Sequence, residues 1–320
     1  MLTNSEQNLR TFSPSQIRVW EGCPQAWEYN YNEELTKDQA STAFFDFGNY
    51  THELMHAYYN LLQSNIQLKP GDPYVINYMQ TRVKNDLSVD NAENAVLVWK
   101  RLHSYLVNQS PMIDSGIEIL GVEVEIRIRV VTPKGHEVFL HGFIDLVYKD
   151  KAGRIRIRDH KTGADPRRHS EKTVMLDDQL IHYCVALTVL GWEVFDVEIN
   201  FVSSKILKTK EVPLAEQFHL YRYQHTPVGL AIAQANILQK IDLMLDNPTW
   251  KNYSPRCPNC KFFDICHLES RGLNTAGVKL NSYKKKVGSD DRLGIELGES
   301  SSSETHPKND TPFSVSIVNL

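Results

Sequence analysis

Two carboxylates and a lysine lie on what the sequence predicts to be two neighbouring strands, which limits the folds open to the chain. Asp145 ends the motif GFID, and the motif RDHKTG places Asp159 and Lys161 beyond a short turn, KAG. Side chains two residues apart on a strand point to the same face, so Asp159 and Lys161 should enter one pocket. Two carboxylates suit a hard divalent cation, and a lysine beside them suits the charge of a phosphate. The sequence therefore predicts a metal-dependent site for phosphodiester hydrolysis.

The pattern of apolar residues around these motifs predicts an α/β core. The segments GVEVEIRIRVV and RIRIRDHK alternate apolar and polar residues, which is typical of half-buried strands. The order of helix, three antiparallel strands, helix and strand predicts a mixed central sheet flanked by helices. The predicted helices are 46–64, 76–108, 174–191 and 226–246, and the predicted strands are 121–131, 136–150, 154–161 and 194–204.

Further side chains and one backbone oxygen are candidate metal ligands. His52 lies on the first of these helices and would add a nitrogen ligand, although a lone helical histidine is more often structural. The carbonyl oxygen of His160 lies between the second carboxylate and the lysine and would add an oxygen. Glu123 and Glu125 point to the same side of their strand. We favour Glu123 as the one that reaches the metal, with pairing to the interleaved arginines as the alternative.

Two polar residues follow the strand motifs on the predicted helix 174–191. Gln179 and Tyr183 are four residues apart, which places both side chains on one face of that helix. Taken alone they are ordinary helix residues. Beside the strand motifs, they are predicted either to contact the DNA backbone or to hold Lys161 in place.

Three of the five cysteines lie close together at a spacing typical of metal ligands. Cys257, Cys260 and Cys266 belong to the segment CPNCKFFDIC, whose phenylalanines would shield a cluster from solvent. A fourth ligand is needed, and Cys23 is the candidate, with His267 as the main alternative for zinc. Four thiolates suit either zinc or an iron–sulfur cluster.

Together these motifs resemble the RecB-like branch of the PD-(D/E)XK nuclease superfamily. The resemblance rests on SPSQIRVWEGCPQAWEYNY, GNYTH, GFID, DHKTG, QLIHY and CPNCKFFDIC, which occur in this order over residues 12–268. Within the branch, the chain is similar to the iron–sulfur exonucleases that include the CRISPR-associated RecB-like nucleases and the AddB nuclease domain. The resemblance implies a restriction-endonuclease-like core whose N- and C-terminal segments are joined by a four-cysteine cluster.

The resemblance also implies two metal centres. One holds Mg²⁺ or Mn²⁺ with Lys161 as the catalytic lysine. The other is a [4Fe–4S] cluster, with zinc as the less favoured occupant. The implied ligands are His52, Asp145, Asp159 and the His160 carbonyl for the divalent cation, and Cys23, Cys257, Cys260 and Cys266 for the cluster.

The activity that the resemblance implies is that of a DNA exonuclease, with single-stranded DNA preferred, in recombination, repair or CRISPR-type DNA processing. Gln179 and Tyr183 match the family's Q-x-x-x-Y helix and are assigned to DNA binding. The chain departs from the family at His160, where an aromatic residue is frequent, but only its backbone is an expected ligand. The chain contains no G-x-x-x-x-G-K-[ST] segment, so we expect no translocation on DNA by this chain itself.

Two other classes of protein remain open. One is a catalytically inactive DNA-binding adaptor that retains the nuclease fold. The presence of Asp145, Asp159 and Lys161 argues against it, since a site that has lost its activity need not keep these residues. The other is a zinc-stabilised protein of unrelated function.

The net charge of −4 does not by itself indicate nucleic-acid binding. Basic residues nevertheless crowd one stretch around the predicted site, where they form either a local DNA-binding surface or a solvated strand edge and loop. These residues are Arg154, Arg156, Arg158, Lys161, Arg167, Arg168 and Lys172.

Composition divides the chain into an N-terminal extension (1–11), a nuclease domain (12–270) and a largely disordered tail (271–320) rich in Ser, Lys, Gly, Asn and Asp. The tail could bind a protein partner. We expect no apolar run long enough to span a membrane and no export signal in the polar N-terminal segment. A cytoplasmic protein of a bacterium, archaeon or phage is therefore expected.

Overall fold

The structure of the protein is a computed structural model, and it describes residues 9–37, 47–86, 92–205, 211–246 and 249–285. Most of the predicted N-terminal extension, a part of the predicted helix 76–108 and the predicted tail beyond 285 lie outside the described residues.

The strands and helices of the described residues follow the predicted order, with additions. The strands are β1 (Thr11–Phe12), β2 (Leu35–Lys37), β3 (Glu118–Val131), β4 (Glu137–Lys149), β5 (Ile155–Gly163), β6 (Val194–Ser203), β7 (Phe218–Gln224) and β8 (Tyr283–Lys285). The helices are α1 (Pro14–Gly22), α2 (Pro24–Trp27), α3 (Phe47–Ser64), α4 (Pro73–Asp86), α5 (Ala92–Ser104), α6 (Ser110–Ile113), α7 (Glu171–Met175), α8 (Asp178–Val189), α9 (Leu214–Gln217), α10 (Pro227–Asp246), α11 (Phe263–Ser270) and α12 (Ala276–Ser282).

The described residues form two compact units, and both contain parts of the nuclease domain predicted over residues 12–270. Of the described residues, the first unit contains 9–14 and 47–239, and the second contains 15–37 and 240–285. Composition did not indicate this division, because the second unit is assembled from two segments that are far apart in sequence.

A mixed sheet forms the centre of the first unit and has six strands within the described residues. β3 pairs antiparallel along one edge of β4, whereas β1 and β5 share the other edge. β5 runs parallel to β6, and β7 is antiparallel to β6. Helices pack beside this sheet, which confirms the predicted α/β class with a mixed central sheet.

An apolar cluster holds the helical layer of α3, α4 and α5 against the sheet. Leu54 of α3, Met79 of α4 and Leu102 of α5 are buried in the same cluster as Leu146 of β4. Burying one such side chain stabilises the fold by roughly 1.5–3 kcal/mol. This packing fixes the position of α3, the helix that carries His52.

A buried ion network lies where the sequence predicted a surface patch of basic residues. Arg158 is fully buried on β5, with its Nε 2.9 Å from Glu198 Oε2 and its Nη1 2.5 Å from Asp114 Oδ1. Arg156 is also buried, and its guanidinium pairs with Asp150 and with the acids of β6. Both predicted alternatives, a DNA-binding surface and a solvated edge, are therefore wrong for Arg156 and Arg158. A charge buried in this way is retained because it is paired.

The second unit has its own small core. Tyr29, Phe262, Ile265 and Tyr283 are buried together in it. β2 and β8 pair antiparallel, so the chain remains regular as far as Lys285. The prediction of disorder from residue 271 is wrong for 276–285, because Tyr283 supplies an apolar anchor that the polar composition around it concealed.

One helix within the described residues, α10, is long and apolar enough by length and composition to cross a membrane. This differs from the expectation that the chain contains no such run. The same criterion is met by core helices of soluble proteins, and in α10 Ile237, Ile241 and Met244 are buried.

Candidate active site

The pairing of β4 with β5 ends beside Asp145 and Asp159, the two carboxylates that were predicted from the sequence. The ladder between β4 and β5 ends at the pair Leu146–Arg158, and in the same register the next pair is Asp145 and Asp159. Beyond this point the backbone N–H of His160 donates to Asp145 Oδ2 at 2.6 Å. The carboxylate of Asp145 therefore takes the place of a backbone acceptor on β4.

Glu123 lies on the neighbouring strand opposite Asp145. In the β3–β4 ladder Val122 pairs with Leu146 and Val124 with Ile144, which leaves Glu123 level with Asp145. Its backbone has a φ of +51°, a left-handed conformation that non-glycine residues rarely adopt. Strained residues of this kind cluster at functional sites.

His52 of α3 completes a group of three potential ligands. One ligand atom each from His52, Glu123 and Asp145 lies within 4.8 Å of the others, and this is the group that meets this spacing among the described residues. The Nδ1 atom of His52 is 3.4 Å from Asp145 Oδ2. Burial lowers the pKa of His52, although the Asp159 carboxylate acts in the opposite direction. A neutral imidazole is the form that binds metals.

The carboxylates of the pocket repel one another. Burial raises the pKa of Asp145 well above its ordinary value, and the charges on Asp159 and Glu123 raise it further. A divalent cation would offset this repulsion, and carboxylate oxygens with one imidazole are ligands that Mg²⁺ and Mn²⁺ accept. The residues present therefore fit such an ion.

Lys161 is held between a carboxylate and an amide. Its Nζ lies 2.8 Å from Asp159 Oδ2 and donates to Gln179 Oε1 at 2.9 Å. Burial alone would lower the pKa of Lys161, but the Asp159 carboxylate outweighs this effect and raises the pKa above its ordinary value. Lys161 is therefore a charged ammonium group at neutral pH.

Helix α8 carries Gln179 and Tyr183 as a connected pair. The predicted helix 174–191 is two helices, because Asp177 is extended and its carboxylate accepts the backbone N–H groups of Gln179 and Leu180 as an N-cap. Gln179 Nε2 donates to the hydroxyl of Tyr183 at 3.0 Å. The ring of Tyr183 packs directly over Gly142, where an added Cβ would lie 2.6 Å from Cε1 of that ring.

The side chain of His160 makes contacts that the sequence did not predict. Its ring stacks on Tyr59, with centroids 5.5 Å apart, and Asn200 Nδ2 lies 3.0 Å from its Nδ1. Asn200 in turn donates to Tyr105, which donates to Asp114 of the buried ion network. A signal was present in the sequence, since β6 is apolar before its terminal Ser203 except at Asp196, Glu198 and Asn200, which alternate along one face.

The structure thus places the predicted ligands of the divalent cation near the predicted catalytic lysine and the two predicted DNA-binding residues. The ligands are His52, Glu123, Asp145, Asp159 and His160, and the other three residues are Lys161, Gln179 and Tyr183. Glu125, the alternative to Glu123, lies apart from the ligand group and contacts His141, with Oε1 3.0 Å from Nε2.

The predicted cysteine ligands lie in the second unit and are not part of the close ligand group above. The backbone N–H of Asn252 donates to Cys23 Sγ at 3.5 Å, and its carbonyl lies 3.9 Å from Cys257 Sγ. Burial raises the pKa of Cys266; Lys251 lowers it, and Cys23, Cys257 and Cys260 raise it again. No three of these cysteines bring their Sγ atoms within 4.8 Å of one another in the described part of the chain, so the predicted four-cysteine cluster is not seen as a close ligand group.

The sheet and the site define an α/β protein with a candidate site for a hard divalent cation beside a half-buried lysine. Residues 11–267, more than half of the chain, match the family model of the PD-(D/E)XK nuclease superfamily. The chain therefore belongs to that superfamily, and its membership supports a metal-dependent nuclease.

Comparisons with individual proteins add little. A solved structure described as "Crystal structure of SSO0001" is similar to this chain, with 12% identity, a TM-score of 0.37, and coverage of 80% of this chain and 85% of that chain. No curated protein matches the sequence.

Proposed function

We propose that this protein is a metal-dependent DNA exonuclease of the RecB-like branch, with a preference for single-stranded DNA. The observation that carries the proposal is the placement of Lys161 between Asp159 and Gln179, beside the ligand group of His52, Glu123 and Asp145. A protein that had lost catalysis would have no need to hold a half-buried ammonium group there. The proposed role lies in recombination, repair or CRISPR-type DNA processing.

The divalent cation would be held by carboxylates, one imidazole and one carbonyl. Bound there, Mg²⁺ or Mn²⁺ would lower the pKa of a coordinated water and offset charge on the scissile phosphate. The proposed ligands are His52, Glu123, Asp145, Asp159 and the carbonyl oxygen of His160.

Lys161 is proposed to orient or activate the attacking water and to offset charge on the scissile phosphate. The Asp159 carboxylate raises the pKa of Lys161 above its ordinary value, which favours the ammonium form. In that form it can donate hydrogen bonds to the attacking water or to a phosphate oxygen. A positioned charge in a buried site stabilises developing negative charge most effectively.

Gln179 and Tyr183 are proposed to hold the lysine. The sequence left open whether they contact DNA or position Lys161. Tyr183 is only 4% exposed and its hydroxyl bonds to Gln179, which in turn accepts from Lys161. These contacts favour positioning as the main role of Tyr183, while Gln179, which is half-buried, also remains accessible to DNA.

The four cysteines are proposed to bind a [4Fe–4S] cluster that stabilises the second unit. The support is the bridge that Asn252 forms between Cys23 and Cys257, together with the electrostatic influence of the other cysteines on Cys266. A cluster of this kind is structural because it joins segments more than two hundred residues apart in sequence. Zinc is the alternative occupant.

Anaerobic purification tests the cluster. We expect a coloured protein with about four iron atoms and four acid-labile sulfides per chain. A Cys257→Ser variant should lose the colour and the iron. A colourless protein with one zinc ion per chain would replace the iron–sulfur proposal with the zinc alternative.

Cleavage of end-labelled DNA tests the nuclease. Wild type and Lys161→Ala are incubated with single-stranded and double-stranded DNA and Mn²⁺. We expect stepwise shortening of single-stranded DNA by wild type alone, with DNA binding retained by the variant. If both proteins bind DNA equally and neither cleaves it, the protein is the inactive DNA-binding adaptor.

A further inference from the structure

Two exposed aromatic rings in the second unit are held in fixed positions. Trp250 is 50% exposed, and its ring meets Trp20 edge-on with centroids 5.7 Å apart. Tyr253 is 66% exposed, and its hydroxyl lies 2.8 Å from Ser270 Oγ in a hydrogen bond. Rings that are already fixed lose little side-chain entropy when a ligand packs against them.

The backbone beneath these rings is fixed as well. The N–H of Gln25 donates to the carbonyl of Trp250 at 3.0 Å, and the side-chain amide of Asn252 donates to the carbonyl of Gly22 at 2.9 Å. Asn252 also contacts Cys23. The segment that presents both rings is therefore anchored on the same backbone as the proposed cysteine ligands.

The segment 249–273 around the rings carries an excess of positive charge, in contrast to the chain as a whole, whose net charge is −4. Lys251 lies close to the anchor of Tyr253, with its Nζ 3.4 Å from Ser270 Oγ, although it also pairs with Glu269 at 3.3 Å. The charged residues of the segment are Lys251, Arg256, Lys261 and Arg271 against Asp264 and Glu269.

We propose that Trp250 and Tyr253 form a stacking platform for single-stranded DNA. The proposal rests on the proposed function and deepens it, since it names the surface that distinguishes single strands from duplexes. Bases of a single strand expose their π faces to aromatic rings, whereas bases of a duplex are already stacked on one another. Basic side chains attract the phosphates. A peptide partner would also use exposed aromatic rings, but the excess of positive charge favours a polyanion.

Binding is measured without cleavage, by fluorescence anisotropy of labelled oligothymidine in EDTA, with a duplex of equal length in parallel. The variants are Tyr253→Ala and Tyr253→Phe. Tyr74→Ala is the matched control, because Tyr74 is 59% exposed on α4 of the first unit. We expect Tyr253→Ala to weaken single-strand binding about 5-fold or more. Tyr253→Phe keeps the ring but loses the hydrogen bond to Ser270, so it should weaken binding less than Tyr253→Ala does. Tyr74→Ala should stay close to wild type, and duplex binding should not change.

A second measurement keeps the test valid if Tyr253→Ala does not fold. Stacking of a base on Trp250 should quench part of the tryptophan fluorescence of wild type when oligothymidine is added. Trp250→Phe, which keeps an aromatic ring, should lose that part of the quenching while retaining binding. A wild-type protein whose fluorescence does not respond to oligothymidine at saturation contradicts the platform.

Failure of the platform and failure of the nuclease proposal give different results. Equal affinity of Tyr253→Ala and Tyr74→Ala for oligothymidine overturns the platform, even where wild type cleaves DNA with Mn²⁺. An equal loss of single-strand and duplex binding also overturns it, because base stacking is then not the cause. If Tyr253→Ala loses affinity only for single-stranded DNA and wild type does not cleave DNA, the platform is supported and the nuclease proposal is contradicted.

Discussion

Replacing Gly142 with alanine should disturb Lys161 from a distance. A Cβ at this position would lie 2.6 Å from Cε1 of Tyr183 and 3.4 Å from its Cζ and hydroxyl oxygen. Carbon atoms in contact prefer about 3.5–4.0 Å, so the ring or the strand has to move by about 1 Å. Because Tyr183 is buried, it cannot swing into solvent. Overpacking of this kind costs about 1–3 kcal/mol of stability.

The displacement should reach the lysine through one hydrogen bond. Gln179 Nε2 is 3.0 Å from the Tyr183 hydroxyl, and an amide hydrogen bond weakens beyond about 3.2 Å. Once Gln179 is released, Lys161 loses its neutral partner at 2.9 Å. A misplacement of about 1 Å in a catalytic site can cost up to about a hundredfold in rate. We expect the cleavage rate of Gly142→Ala to fall by about tenfold to a hundredfold.

Single-turnover cleavage at saturating Mn²⁺ measures this effect, and urea unfolding measures the loss of stability. Gly277→Ala is the matched control, since nothing lies within 4 Å of a Cβ at that position. If Gly142 acts through Gln179, the double variant with Gln179→Ala should be no slower than Gln179→Ala alone. A Gly142→Ala protein with the cleavage rate and the unfolding midpoint of wild type would refute this reasoning.

Three further changes test the fold and the metal site. Arg158→Met should lower the free energy of unfolding by about 3–5 kcal/mol in urea titrations, because Asp114 and Glu198 lose their buried partner. A loss below about 1 kcal/mol would contradict the ion network. His182 is buried with a pKa lowered to about 4 by burial and by a nearby histidine, so the unfolded state alone takes up its proton as pH falls from about 6.5. Wild type should therefore lose about 1.6 kcal/mol more stability than His182→Leu between pH 6.5 and pH 5. Parallel pH profiles of the two proteins would show that the ring is not buried as a neutral group. Glu123→Gln should weaken Mn²⁺ binding about tenfold in calorimetric titrations, with Glu125→Gln as the unchanged control; equal affinity of the two variants would exclude Glu123 as a ligand.

The sequence alone determined the elements that depend on local patterns. Alternation of apolar and polar residues located β3 and β5, and the spacing of two residues placed Asp159 and Lys161 on one face. The spacing of four residues placed Gln179 and Tyr183 together on one helix. These predictions held because strand and helix periodicity is fixed by backbone geometry and does not depend on distant partners.

Interruptions and additions to these elements were harder to predict. Asp177 divides one predicted helix into α7 and α8, because its side chain caps the second helix. Strands β1 and β8 have only two or three residues each, so too few positions exist for an alternating pattern to be recognised. Their pairing partners lie more than a hundred residues away in sequence.

Only the tertiary structure decided which distant residues meet. The choice of Glu123 over Glu125 follows from the register of β3 on β4 and from a left-handed residue at this point. The burial of Arg158 follows from the positions of Asp114 and Glu198, which are distant in sequence from it and from each other. A basic residue on an alternating strand has the same local pattern whether it faces water or a buried acid. Its environment is set by the elements that pack over it, and that packing is a property of the whole fold.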